Sequence, residues 1–290
     1  MNRPSRETLE RIAAALGGEP IASKRAAGGY TPAERWVVRC ASGTRAFVKL
    51  GTTPLTARML RAEHATYTAL EASFMPRLLA WDDHASHPML VLEDLSDARW
   101  PPPWDPALVH AVVETLATLH RSAAKLPAFE DIYGQFEASG WADVAADPAA
   151  FLGLGLASGD WLEGALPQLL AREKMARTRG DSVIHFDVRS DNLCLSDRGV
   201  VLIDWNLACL GNGDLDLGFW LPSLESEGGP PPETLLPDRP DIAAWVSGFF
   251  AARAGLPLIP DAPHVRSVQR KQLVPALSWA ARALGLPQPN

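Results

Sequence analysis

Two periodicities divide this chain into elements. The opening stretch, up to Gly17-Gly18, places its apolar residues on one side of a helix that the glycines close. Pro20 to Ala27 then reads as a strand and Gly28-Gly29 as a turn. Glu34–Cys40 and Arg45–Leu50 alternate with a period of two around Ser42-Gly43-Thr44, which predicts a meander of three strands. From Leu55 to Leu70 the spacing turns helical, until Pro76. Two short strands, Arg77–Trp81 and Met89–Leu92, follow around the polar turn 82–86. Trp100-Pro-Pro-Pro-Trp104 interrupts all regular structure. Beyond it, apolar stripes predict helices over Pro106–Ala123, Asp160–Arg172 and Ile242–Ala254. One segment departs from this, where the β-branched runs 183–184 and 200–203 flank a polar loop and predict a strand pair set among helices. Residues 1–95 therefore read as a small sheet lobe and 96–290 as a larger, mostly helical lobe.

Composition narrows the function. With 290 residues, 47% of them hydrophobic, a packed core is expected and disorder is excluded. Residues 1–95 carry 12 Lys/Arg against 10 Asp/Glu, whereas 96–290 carry 15 against 24. A net charge of -7 and a pI near 5.5 disfavour a nucleic-acid partner. The acidic second part favours a cationic or hydroxyl-rich small molecule. Three scattered cysteines supply neither a disulfide frame nor a zinc knuckle and suit a reducing compartment. No run of eighteen apolar residues occurs, so no membrane partner is expected and the location reads as cytoplasmic.

The polar loop concentrates the chemistry. His185-Phe-Asp187-Val-Arg189-Ser-Asp-Asn192 follows one apolar run, and Asp204 ends the next. Charge this dense beside the core is costly unless it is used. Asp187 and Asn192 are spaced to face one cleft, and Asp204 leaves the core at the end of a strand. Two carboxylates and a carboxamide are hard oxygen donors, which suit Mg²⁺.

The pattern H-x-D-x-x-x-x-N followed by an apolar strand ending in Asp, in the form VIHFDVRSDNLCL…VVLIDWNLAC, resembles the aminoglycoside phosphotransferase and choline kinase-like family of small-molecule kinases. Supporting matches extend along the chain. The strand ending at Lys49 resembles the family's nucleotide-binding strand, and Glu63 resembles the helical ion-pair partner of that lysine. Glu93-Asp94-Leu95 resembles the hinge whose backbone holds adenine, and Leu116–His120 the helix that supports the catalytic loop. Gly28 and Gly29 stand where phosphate-covering glycines are expected, without a G-x-G-x-x-G. Phe186 departs from the family, which commonly has Gly there, and Asp204-Trp-Asn206 replaces D-F-G.

The resemblance implies a bilobal, protein-kinase-like α+β fold and transfer of the γ-phosphate of ATP, with Mg²⁺, to a hydroxyl of a small molecule. It implies Asp187 as the base that receives the hydroxyl proton, and Asn192 and Asp204 as metal ligands. Arg189 either meets the γ-phosphate or pairs with Asp191 or Asp216 to hold the loop. His185 and Asp216 are expected to support the loop rather than react. Glu225 and Glu227 are candidates to face a cationic acceptor, and Trp205 and Trp220 to lie near the substrate. The alternative is a silent, nucleotide-binding pseudokinase with a regulatory role. Gly153-Leu-Gly155 and Arg179-Gly-Asp181 are coincidental motifs, because no strand precedes the first and an adhesion tripeptide has no use inside a cell.

Overall fold

A computed structural model describes residues 3–26, 28–29, 31–84, 86–133, 140–260 and 262–289. Ala27 and Tyr30 of the predicted phosphate loop, and Ala85 of the turn at 82–86, lie outside the described residues. The first elements are α1 (Arg6–Leu16), β1 (Pro20–Arg25), β2 (Glu34–Cys40), β3 (Arg45–Leu50), α2 (Pro54–Ala69), β4 (Leu78–Asp82) and β5 (Met89–Glu93). The helices α3 (Pro106–His120), α4 (Phe129–Tyr133), α5 (Trp141–Ala146), α6 (Ala149–Leu152) and α7 (Gly159–Glu173) follow. Next come β6 (Ser182–Ile184), β7 (Leu193–Ser196), β8 (Gly199–Leu202) and β9 (Cys209–Gly211), and then α8 (Asp214–Ser226), α9 (Pro232–Leu235), α10 (Pro240–Ala254) and α11 (Val265–Leu284). The chain is α+β, with its antiparallel sheet in the N-terminal part, as the sequence predicts. It divides into two compact units, Met1–Trp100 with Leu193–Leu207, and Pro101–Asn192 with Ala208–Asn290.

The first unit is built on a five-stranded sheet in the order β1-β2-β3-β5-β4, with every pairing antiparallel. Trp36 opposes Val48, which opposes Val91 on the next strand. These residues share one face with Val38, Ala46, Leu50 and Met89 and pack with Ile12 of α1 into a closed core. Each such burial contributes about 1.5–3 kcal/mol. Because side chains alternate along a strand, Lys49 between Val48 and Leu50 must point to the opposite face. Helix α2 begins at a capping box in which Thr53 and Thr56 satisfy each other's backbone, with Pro54 in its first turn. The β7–β8 hairpin joins this unit through paired bonds between Arg99 and Leu195 and through Leu202 N–H donating to Phe74 O at 2.8 Å.

The second unit is mostly helical. Helix α10 is buried along nearly its whole length, so the apolar stripe predicted over Ile242–Ala254 extends around most of the helix. The two β-branched runs do not pair with each other. Ile184 on β6 pairs with Cys209 on β9, and Leu202 on β8 pairs with Leu193 on β7. Runs this short carry too little pattern to fix a partner.

Candidate active site

In the first unit, Lys49 lies on the sheet face opposite the core and its ammonium meets Glu63 Oε1 at 2.8 Å and Oε2 at 2.9 Å. Asp204 contacts the same ammonium. Burial disfavours a charged Lys49, but Asp204 and Glu63 together outweigh it and hold its pKa above the ordinary value. Burial pushes the Glu63 carboxyl up, only partly offset by Lys49, and the second carboxylate acts in the same direction. Lys49 is thus a buried lysine held charged between two carboxylates.

Asp204 has a left-handed backbone, φ 66°, which costs a non-glycine residue about 1–2 kcal/mol. Trp205, completely buried, follows it. Its N–H bonds to Glu63, its Nε1 donates to Leu202 O at 2.7 Å, and its carbonyl accepts from Thr66 Oγ1 at 3.0 Å. Trp205 was expected near the substrate; it instead fastens the Asp204 turn to α2. Near this cluster the hydroxyl of Tyr67 is buried with no hydrogen-bond partner among the described residues, and burial raises its pKa well above the usual phenol value.

Of the three residues expected at a hinge, two meet arginines and the third closes a turn. Glu93 bonds Arg198 at 2.6 Å, Asp94 accepts from Arg45 Nε at 2.7 Å, and Leu95 O accepts from Ala98 N–H at 3.0 Å. Gly28 and Gly29 both have positive φ, 91° and 80°. At Gly29 a Cβ would meet the Arg35 guanidinium, itself bound to Ala33 O at 3.0 Å, and the positive φ strains any other residue there.

In the second unit, the loop after β6 is organised around a fully buried carboxylate, Asp216 of α8. Its Oδ2 accepts from His185 N–H at 3.0 Å and lies 3.0 Å from His120 Nε2, while Oδ1 accepts from Phe186 N–H at 2.7 Å. Any side chain at Gly213 would collide with His120, so that glycine makes the contact possible. His185, fully buried, accepts from Asp187 N–H at its Nδ1, at 3.3 Å. Asn192 Nδ2 donates to Asp187 O at 2.9 Å and to Asp187 Oδ2 at 2.8 Å. Arg189 reaches Asp187 at 3.2 Å and Asp191 at 3.0 Å. Asp187, Arg189 and Asn192 thus form one hydrogen-bonded group, with His185 and Asp216 beneath it.

Phe186, the departure from the family, has φ 60° and is 4% exposed. Its ring packs edge-on against Phe129 at 5.0 Å and Phe219 at 5.1 Å. Aromatic packing therefore offsets the strain that glycine would avoid.

Of the acidic residues expected to face an acceptor, Glu225 pairs with Arg282 at 3.0 Å. Glu227 accepts from Ser190 Oγ and Trp104 Nε1, each at 2.8 Å, and so tethers the loop from its other side. Trp220 is fully buried and lies against Trp104, rather than offering a surface to substrate. Thr66, Ser190 and Trp104 have partners 37 to 139 residues away, and Gly213 meets His120, so no local signal marks them. All three cysteines are free and buried, and burial pushes Cys194 and Cys209 up to about 12, so neither supplies a thiolate at neutral pH.

Among the described residues no three His, Cys, Asp or Glu side chains gather to hold a metal unaided. Asp204 offers carboxylate oxygen and Asn192, whose N–H groups face Asp187, offers Oδ1. Each is a hard oxygen donor of the kind Mg²⁺ takes, one or two from protein with phosphate and water completing its shell.

Residues 23–253 match the family model of a phosphotransferase enzyme family, abbreviated APH. A search of curated proteins returns no significant match. Among solved structures, the chain resembles a spectinomycin phosphotransferase in complex with ADP and spectinomycin, at TM-score 0.59 and 12% identity over 94% of each chain. It also resembles a choline/ethanolamine kinase family protein from Mesorhizobium loti, at TM-score 0.52 and 14% identity, covering 95% of this chain and 98% of the other. A macrolide 2'-phosphotransferase type I aligns at TM-score 0.51 and 14% identity, over 98% of this chain and 95% of its own. At these identities the likeness is one of fold.

Proposed function

Because the chain belongs to the APH phosphotransferase enzyme family, we propose that it moves the γ-phosphate of ATP, with Mg²⁺, to a hydroxyl of a small and cationic acceptor. The observation that carries this reading is the coexistence of two prepared groups. One is a buried lysine held charged by Glu63 and Asp204; the other is an aspartate held by Asn192 and Arg189 on a loop anchored by Asp216.

Phosphoryl transfer depends on alignment and on neutralising charge more than on covalent help. In this reading Lys49 binds the α- and β-phosphates, and the backbone of Glu93, Asp94 and Leu95 takes the base. Gly28 and Gly29 let the backbone approach the phosphates closely. Asp204 and Asn192 would hold Mg²⁺, which would supply positive charge against the phosphate oxygens. Asp187 accepts a hydrogen bond from the acceptor hydroxyl and takes its proton as the new O–P bond forms and the bond from the γ-phosphorus to ADP breaks. Arg189, already paired with Asp187, draws off negative charge as it spreads over the transferring group. Asn192 fixes the rotamer of Asp187, and Asp216 fixes the backbone that carries it.

The cationic acceptor is supported by the net -9 of residues 96–290. The similar structures bear on spectinomycin, macrolides and choline or ethanolamine, by their own descriptions. The test is a coupled ADP-release screen over aminoglycosides, macrolides, amino alcohols and sugars, with mass spectrometry of the acceptor. One acceptor gaining a single phosphate is the expected result. Nucleotide binding with no transfer across the whole panel would favour the silent, regulatory reading.

A further inference from the structure

Asp204 needs a left-handed backbone, and such a conformation persists in a non-glycine residue only when its surroundings enforce it. The residue that follows Asp204 is held by both of its backbone polar groups from one helix. The N–H of Trp205 bonds to Glu63, and its carbonyl accepts from Thr66 Oγ1 at 3.0 Å. Glu63 and Thr66 are three apart on α2, so both reach the same side of the helix. Thr66 is 3% exposed, and its hydroxyl also lies 3.2 Å from Ala62 O, the usual destination of a helical threonine. Its one proton is shared between the two carbonyls, of which that of Trp205 is the nearer. The indole completes the latch by bonding Leu202 O and packing against Phe74, with ring centroids 6.1 Å apart.

We propose that Thr66 is a positioning residue: by holding the Trp205 carbonyl it keeps Asp204 turned for a divalent cation, and so controls how strongly the metal enhances nucleotide binding. The inference rests on the phosphotransferase reading. Lys49 fixes Glu63, α2 carries Glu63 and Thr66 together, and the Trp205 peptide transmits their position to Asp204. Removing the hydroxyl leaves Lys49 and Glu63 in place and lets the Asp204 turn relax. Affinity for the metal–nucleotide complex then falls with the fraction of molecules that keep the competent turn.

The test is calorimetric titration with ADP in EDTA and in saturating Mg²⁺, for the wild type, Thr66→Val and Thr66→Ser. Thr66→Val should bind metal-free ADP as the wild type does and lose about fivefold of the Mg²⁺-dependent gain, equivalent to roughly 1 kcal/mol at 1.4 kcal/mol per tenfold. Thr66→Ser, which restores the hydroxyl, should recover the gain. Equal Mg²⁺ enhancement in Thr66→Val and wild type overturns the inference, as does failure of Thr66→Ser to recover it. If Thr66→Val does not fold, Thr66→Ala is read in the same way. A wild-type protein that binds no nucleotide overturns the functional reading itself, and the inference with it.

Discussion

Glycine is ordinarily the worse replacement in a core, yet at position 186 it should outperform alanine. Phe186 combines φ 60° with an aromatic ring almost wholly buried among Phe129, Phe219 and Phe249. Phe186→Ala removes the ring and leaves a methyl group in the left-handed region. The lost burial and the cavity cost about 3–5 kcal/mol, and the backbone strain stays. Phe186→Gly creates the same cavity but removes the strain, about 1 kcal/mol, because glycine occupies positive φ freely. Thermal and urea unfolding of both variants should show each well below the wild type, with the glycine protein about 1 kcal/mol above the alanine protein, or roughly 2–4 °C in Tm. Phe186→Leu, which keeps most of the volume, should fall between them and the wild type. An alanine variant more stable than the glycine variant would refute the claim that packing holds a strained backbone at this point.

Three further outcomes follow from the buried polar groups. Replacing Asp216 by Asn leaves one carbonyl oxygen to serve two backbone N–H groups and His120 and turns an N–H group toward donors, so stability should drop by about 3–5 kcal/mol in denaturant unfolding; a loss below about 1 kcal/mol would contradict the anchoring role. Glu173 is buried under the start of α5, where it accepts from Trp141 N–H at 2.9 Å, and burial raises its pKa to about 7. The folded state therefore binds the proton more tightly than the unfolded chain, so this group's contribution weakens stability as pH rises from about 4.5 to about 7. Glu173→Gln should gain on the wild type between pH 5 and pH 8, by up to about 3 kcal/mol at 1.36 kcal/mol per pKa unit, and a difference independent of pH would exclude this. Tyr67→Phe removes a buried hydroxyl that has no partner among the described residues and should raise Tm, by about 1 kcal/mol of stability or more, whereas a destabilised variant would show that the hydroxyl is satisfied.

What the sequence reveals here depends on how local the cause is. Period-two alternation in Arg45–Leu50 places Lys49 opposite the core before any partner is known. The density of charge after Ile184, beside an apolar run, marks the loop at 185–192 for the same reason, since such charge is expensive at the edge of a core. Elements whose pattern is disguised were harder to read. Helix α8 is buried on most sides, so it presents no clean stripe of the kind that identified α3. The partners of β6 and β8 lay beyond reach, because strands of three or four residues carry little register information. The arrangement around Asp204 was the least legible. Trp205 looks like a substrate-facing aromatic in the sequence, but its role is set by Thr66, 139 residues earlier. Glu227 likewise reads as a candidate to face a cationic acceptor until Ser190 and Trp104 are found on its two oxygens. Contacts of this kind arise from packing, and periodicity does not encode them.

The account turns on Asp187 as the acceptor of the hydroxyl proton, and Asp187→Asn isolates that property, because the amide keeps the size and still has an oxygen for Asn192. Once the screen has supplied an acceptor, single-turnover phosphate transfer should be measured for wild type and Asp187→Asn alongside Mg·ADP affinity. Transfer should fall by a factor of about 100 or more while Mg·ADP binds within about threefold of wild type, a difference of roughly 0.7 kcal/mol. Transfer that continues at the wild-type rate in Asp187→Asn would contradict the account.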